Sequence, residues 1–380
     1  MENFSAFIPT DLRFGKGCTK EIGIIARQYG KKALLMYGKG SVKKNGAYDS
    51  VVNSLKSEGI SIVEYGGIKS NPVVEDVRKA TQLGIESKAE MIIAVGGGSV
   101  IDSAKVISVC IPGNLDGWDV VKGRVQPVSA LPLLAVLTLA ATGTEMNPTG
   151  VLQNHETEEK LGYRNPLMFP RHSFLDPTFT ISVPKNYTAY GIADLIAHCL
   201  EAFFAKGSAP LSDRVAVSVI LEAMEAGPFL LENLSDYELR ARIMWASTLA
   251  LNGYTGFGRT FNGDWGVHAA GHVLSLLFDV PHGASLTIVY PAWLKYHSGR
   301  AKERIERLGT LLFNNPSVNN TISNLEQFFI KIGCPVKLSE AGIPASTIPR
   351  IKDVMVKNSV SGTSWLLTAE DYPELLKLME

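Results

Sequence analysis

Thiols are scarce and scattered in this chain. The four cysteines, Cys18, Cys110, Cys199 and Cys334, include no Cys-x-x-Cys pair, which argues against both a disulfide framework and a thiolate metal site. Net charge is missing too. Lys plus Arg and Asp plus Glu number 37 each, so no overall field recruits nucleic acid or an anionic membrane surface. Long apolar runs are also absent. The longest, Ala130 to Ala141, is too short to span a bilayer and contains Pro132, so it reads as a buried strand. The opening residues Met1-Glu2-Asn3-Phe4-Ser5-Ala6 carry neither the basic nor the apolar stretch of a secretory signal, and the expected location is the cytoplasm.

With 380 residues the chain exceeds one ordinary core and predicts two domains. In the first half, short β-rich runs (Ala33 to Tyr37, Ser61 to Tyr65, Met91 to Val95, Leu133 to Leu137) alternate with amphipathic stretches near Asp49 to Ser57, Val73 to Glu86 and Val100 to Val109. Such alternation predicts βαβ units and a parallel sheet covered by helices. After Asp176-Pro177 and Pro184-Lys185-Asn186 the pattern changes to helical spacing. The predicted helices are Thr188 to Phe204, Leu211 to Leu231, Leu239 to Leu251, Trp265 to Phe278, Arg300 to Leu312 and Thr321 to Ile332. The expected architecture is an α/β Rossmann-like domain over residues 1–182, followed by an all-α domain over 183–380.

Four of the seven histidines fall in two blocks of that second half. Asp194 and His198 are four residues apart, so on a helix both leave the same face, and His268 and His272 repeat the spacing. His282 follows in Asp279-Val280-Pro281-His282-Gly283. Neutral imidazoles with one carboxylate suit a divalent transition ion, whereas calcium or magnesium would want oxygen throughout. A single histidine on an apolar helix is usually only a hydrogen-bonded core residue; two such blocks in a histidine-poor chain favour the metal. His155, His172 and His297 lie outside the pattern.

A second signal is Gly96-Gly97-Gly98-Ser99, between the apolar run ending at Val95 and a helix start at Val100. Three glycines let backbone N–H groups approach a pyrophosphate, and the helix N-terminus adds a positive dipole end. A tight βα turn is the bland alternative, and the spacing is not the G-x-G-x-x-G of ordinary dinucleotide folds. The strand ending at Tyr37 leads into Gly38, where an acidic residue would hold a ribose 2′-hydroxyl. Ser41, Lys43 and Lys44 follow closely and would accommodate a 2′-phosphate, although lysines in a surface loop are equally explained by solvation. The hydroxyl-rich segment Thr138 to Asn147 follows a buried strand, where cofactor contacts or helix capping both fit.

Together these motifs resemble the iron-containing (group III) alcohol dehydrogenases, in particular the branch of butanol dehydrogenases and NADPH-dependent aldehyde reductases. The resemblance runs from Phe14-Gly15-Lys16-Gly17 through Leu175-Asp176-Pro177 to His282. It implies a two-domain fold like that of dehydroquinate synthase, one divalent ion (Fe2+ or Zn2+), a preference for NADP(H) over NAD(H), a small alcohol or aldehyde as substrate, and a homodimer. Carried over to this chain, it implies Asp194, His198, His268 and His282 as metal ligands and His272 as the non-ligand histidine near the nicotinamide. It also implies Gly97, Gly98 and Ser99 for the pyrophosphate, and Asp102, Thr138, Thr142, Asn147 and Lys160 for the rest of the cofactor. Gly38, Gly40, Ser41 and Lys43 match the loop associated with NADP(H). Leu139 departs from a common threonine, Ala141 from a glycine and Thr144 from a serine.

The implied reaction is hydride transfer between the nicotinamide and a primary alcohol or aldehyde polarised by the metal, with His272 as proton relay. Rival readings are a polyol oxidoreductase resembling glycerol dehydrogenase and a lyase resembling dehydroquinate synthase. The lyase needs a basic pocket, whereas the histidines here lie among Ala193, Leu195, Ile196, Trp265, Val267, Leu274 and Leu277.

Overall fold

The strands that alternate with helices in the first half assemble as β1 (Asp11–Phe14), β2 (Lys32–Tyr37), β3 (Ser61–Gly66), β4 (Met91–Gly96), β5 (Leu133–Leu137), β6 (Thr149–Asn154), β7 (Glu159–Arg164) and β8 (His172–Leu175). In the computed structural model, which describes all residues from Met1 to Glu380, six of them form one sheet in the order β1-β8-β5-β4-β2-β3. Every pairing in that sheet is parallel. Strands β4 and β5 are buried at every position, whereas β1 and β3, at the two edges, are partly open.

Alternation across the pleat explains why both faces are covered. Leu34, Met36, Ile92, Ala94, Leu133 and Ala135 point into one core with the Val74–Glu86 and Gly98–Cys110 helices. Ala33, Leu35, Met91, Ile93, Leu134 and Val136 point into the other with the Ala47–Ser57 helix. The chain leaves β2 for β3 on one side, then returns to place β4 on the other side of β2. That reversal is a topological switch point, where the carboxyl ends of the strands leave a crevice for a ligand. Gly38 and Gly97 follow the two strands that flank it.

Two features of the first half carry no clear sequence pattern. β1 and β8 are four residues each, and β6 and β7 form a separate antiparallel hairpin. Phe7–Val183 and Leu234–Thr248 form one compact unit; Met1–Ala6, Pro184–Asn233 and Leu249–Glu380 form the other.

The second unit is helical. Its longer helices are Lys185–Phe204, Pro210–Glu232, Gly266–Phe278, His282–Tyr296, Lys302–Phe313 and Val318–Lys331. The His282–Tyr296 helix was not expected from the sequence, and burial explains why: every residue from Gly283 to Leu294 is buried, so no polar stripe marks a helical period. Gly283 lets this helix sit against the Lys185–Phe204 helix, since a Cβ there would lie 2.0 Å from the Tyr190 carbonyl oxygen. No helix is long and apolar enough to cross a membrane.

Gly283→Ala should therefore destabilise the protein. The substitution gains about 1 kcal/mol of helix propensity, but backbone overlap of this depth costs about 3 kcal/mol or more. Urea unfolding should show a lower midpoint than wild type, with a loss of about 2 kcal/mol.

Candidate functional site

The Lys185–Phe204 helix presents Asp194, His198 and Glu201 from one face, at intervals of four and three residues. All three are buried, Asp194 and Glu201 almost completely. The Gly266–Phe278 helix brings His268 and, one turn on, the half-buried His272. His282 is the first residue of its own helix, directly after Pro281. Three helices thus converge, two of them consecutive in sequence and the third well upstream.

The convergence is centred on one oxygen. Asp194 Oδ1 lies 3.5 Å from His198 Nδ1, 3.7 Å from His282 Nε2 and 4.0 Å from His268 Nε2. Ligands held at ~2.1 Å around a tetrahedral ion stand about 3.4 Å apart, so the spacing fits a small divalent cation with slight contraction. Asp194, His268 and His282 each offer a ligand atom, all within 4.8 Å of one another. His198 stands outside that tightest group, its ring stacked on His268 at 4.7 Å. His198 Nδ1 has no hydrogen-bond partner, and burial, followed by the neighbouring His268, holds the imidazole pKa well below its ordinary value. A neutral ring with an available lone pair is the form a metal requires.

The surroundings are electrostatically short of positive charge. Burial pushes the Glu201 carboxyl up to about 7, and burial together with the Glu201 charge pushes Asp264 up to about 7 as well. With Asp194 these make three buried acids on adjoining segments, a setting that favours a cation. The Trp265 ring stands 5.5 Å from His268 and 6.5 Å from His198, so one wall beside the histidines is aromatic. His272 is 5.4 Å from His282 and 6.4 Å from His268, ring centre to ring centre.

In the α/β unit, Gly97 caps the Gly98–Cys110 helix and the glycines allow close internal approach. A Cβ on Gly98 would lie 2.7 Å from Thr142 Oγ1, and one on Gly97 would lie 3.2 Å from Leu139 Cβ. Thr142 is therefore brought beside the glycine loop, and Thr138 joins it through its N–H to the Gly96 carbonyl, 3.0 Å. Ser99 donates to the Ser70 carbonyl.

Other residues expected at the cofactor have internal partners. Asp102 accepts from Thr144 Oγ1 at 2.6 Å and from Val151 N at 3.1 Å. Asn147 accepts from Lys105 Nζ at 3.1 Å and donates to the Gly143 carbonyl at 2.9 Å. Lys160 donates to Asn71 at 2.8 Å. Lys105, which the sequence reading missed, is fully buried and donates to Thr144, Asn147 and the Thr149 carbonyl. These bonds tie the Thr138 to Asn147 segment to the helix that follows the glycine loop.

At the second loop, Gly38, Gly40 and Ser41 follow β2, and Gly40 adopts φ 149. A Cβ at Gly38 would meet only ordinary contacts, 3.6 Å from the Ile68 carbonyl oxygen. Lys43 Nζ lies over the rings of Tyr37 and Tyr48 at 4.9 and 4.6 Å. Both tyrosine hydroxyls donate to Glu64, at 2.8 and 2.6 Å, so the lysine charge is held between aromatic faces and near a carboxylate.

The profile of the iron-containing alcohol dehydrogenases matches residues 9–177, and that of the C-terminal part of the Fe-containing alcohol dehydrogenase family matches residues 188–377. The chain belongs to the iron-containing alcohol dehydrogenase family. It is accordingly a metal-containing oxidoreductase that uses a nicotinamide cofactor. A relative described as a probable NADH-dependent butanol dehydrogenase 1 of Bacillus subtilis (strain 168) is 37% identical, with 99% of each chain covered. The NADPH-dependent aldehyde reductase YqhD of Escherichia coli (strain K12) is 36% identical, with 92% of each covered. Among solved structures, the NADH-dependent butanol dehydrogenase A of Thermotoga maritima superposes with a TM-score of 0.96 at 40% identity, covering 100% of this chain and 99% of that one.

Glu201 and Asp264 were missed in the sequence. Glu201 carried a signal nonetheless: an acid in a strongly apolar helix, on the same face as Asp194 and His198. Asp264 carried none, because its partners Ser364 and Trp365 lie 100 and 101 residues away.

Proposed function

We propose that this chain is a metal-dependent, NADP(H)-linked alcohol dehydrogenase that reduces small to medium-chain aldehydes and oxidises the corresponding primary alcohols, working as a cytoplasmic homodimer. The observation that carries the reading is Asp194 Oδ1 within 3.5 to 4.0 Å of three imidazole nitrogens. In this reading Asp194, His198, His268 and His282 hold one divalent ion, Fe2+ or Zn2+.

When bound, the ion supplies Lewis acidity toward a carbonyl oxygen and the reduced nicotinamide supplies hydride. Asp194 contributes the single negative charge of the ligand set, and His198 enters as a neutral ring because burial disfavours its cation. Trp265 presents apolar surface beside the histidines and helps exclude water, which strengthens electrostatic interactions there. His272, half-buried and outside the ligand set, delivers a proton from its ring nitrogen to the product oxygen during reduction and accepts one in the reverse direction. Gly97, Gly98 and Ser99, at the N-terminus of a helix, bind the pyrophosphate through backbone N–H groups. Thr138, Thr142, Asn147 and Lys160 line the remaining cofactor site, and Asp102 orders it through Thr144.

Relatives are named for either cofactor, NADH in Bacillus subtilis and NADPH in Escherichia coli. The preference for NADP(H) here rests on Gly38, which offers no carboxylate to repel a 2′-phosphate, and on Ser41 and Lys43 just beyond it. The Trp265 ring beside the histidines and the buried acids Asp194, Glu201 and Asp264 favour uncharged substrates over the phosphorylated, carboxylated substrate of a dehydroquinate-synthase-like lyase.

Three outcomes check this function. NADPH oxidation with butanal should vanish after chelator treatment and return on adding Zn2+ or Fe2+; turnover that survives complete stripping would exclude the metal-dependent reading. Gly38→Asp should lower kcat/KM for NADPH at least ~10-fold more than for NADH, since it sets a carboxylate against the 2′-phosphate. Equal losses with both cofactors would count against NADP(H). His272→Ala should reduce kcat by about 10²-fold or more, with metal stoichiometry and NADPH affinity retained; unchanged turnover would remove His272 from proton transfer.

A further inference from the structure

The helix that carries His268 starts without a cap of its own. Its N-cap residue, Trp265, adopts the left-handed conformation at φ 67 and supplies no side-chain hydrogen bond. The exposed N–H groups of a helix start need acceptors when buried, and here they come from another helix. Glu201 Oε2 accepts from Trp265 N at 2.6 Å, and Glu201 Oε1 accepts from His268 N at 3.0 Å. The same Oε1 lies 2.8 Å from His268 Nδ1. The Glu201 carbonyl oxygen also accepts from Asp264 N at 3.0 Å.

These contacts have a directional consequence. Both Glu201 oxygens already accept from backbone N–H groups, so the carboxylate faces Nδ1 as an acceptor and Nδ1 carries the hydrogen. The lone pair of His268 then resides on Nε2, the atom 4.0 Å from Asp194 Oδ1. Glu201 and Asp194 also sit on the same helix, seven residues apart. One rigid element therefore carries a candidate ligand and the group that aims a second one.

We propose that Glu201 is a positioning residue for His268: it caps the Gly266–Phe278 helix from outside and fixes the His268 ring in the Nδ1–H tautomer with Nε2 directed at the ion. The inference rests on the metal-centre reading above and adds to it a determinant outside the ligand set. In Glu201→Gln, one carboxylate oxygen becomes an NH2 group. If the remaining oxygen keeps His268, the amide meets the Trp265 N–H donor to donor; if the amide turns, it meets Nδ1–H instead.

The test is Zn2+ affinity of the full-length protein, stripped and then titrated in competition with a chromophoric chelator. Wild type should take up one Zn2+ per chain, and Glu201→Gln, with unchanged far-ultraviolet circular dichroism, should bind it ~10–100-fold more weakly, as loss of an outer partner of a ligating histidine typically does. Affinity within twofold of wild type would overturn the role of Glu201 while leaving the metal centre standing. Absence of Zn2+ binding by wild type would overturn the metal centre itself and the inference with it. Should the variant not fold, ring 15N shifts of histidine-labelled, metal-free wild type decide the matter, with His268→Gln identifying the signals. An Nδ1–H tautomer supports the proposal, and an Nε2–H tautomer overturns it.

Discussion

The chemistry of the helical unit depends on how a single buried carboxylate is satisfied. Asp194 is 2% exposed, and one of its oxygens faces three imidazole nitrogens at distances too long for good hydrogen bonds and close to those between ligands of one ion. A buried carboxylate is costly to keep ionised unless compensating charge stands nearby. The divalent cation proposed for this site would supply that charge, and neutral imidazoles would complete its shell without adding like charge. The close seating of the helices that bring these groups together follows from small residues. Gly283 lies against Tyr190, and Gly271 lies where a Cβ would be 2.9 Å from Ser285 Oγ.

The α/β unit solves a different problem by similar means. Its glycine loop is shaped by what packs against it, Leu139 on Gly97 and Thr142 on Gly98, as much as by any need to admit a ligand. A fully buried lysine, Lys105, then fastens the Thr138 to Asn147 segment to the adjoining helix through three hydrogen bonds. Burial lowers the Lys105 pKa to about 7 against the opposing pull of Asp102 and Glu145. Side chains such as Asp102 and Asn147 thus act first as internal struts, which hold the glycine loop and the helix after it in place. Preorganisation of that kind would lower the ordering cost of the dinucleotide binding proposed for this loop.

Much of this organisation was legible in the residues themselves. Apolar runs located β2, β4 and β5 to within a residue or so, because strands buried on both faces leave a clear pattern, and flanking glycines with β-branched residues located the edge strand β3. The short edge strand β1, β8 and the β6–β7 hairpin left none, since four to six residues with mixed polarity fit a loop equally well. The His282–Tyr296 helix failed for the opposite reason: it is buried all round, and amphipathic periodicity vanishes when there is no solvent face. The helix spacing of Asp194 with His198 was visible, whereas the approach of His282 to them was not deducible from spacing.

By itself, then, the sequence determined the alternating first half, the helical second half, the glycine loop and the histidine-rich blocks, because periodicity and local spacing are properties of neighbouring residues. Tertiary structure alone decided which atoms meet. It set Asp194 Oδ1 among the nitrogens of His198, His268 and His282, joined Glu201 to a helix start 64 residues away, and held Lys43 between two tyrosine rings near Glu64. Apart from the local contacts of Lys43, those juxtapositions arise from packing between separate elements, and a one-dimensional pattern carries no record of the angle at which two helices cross.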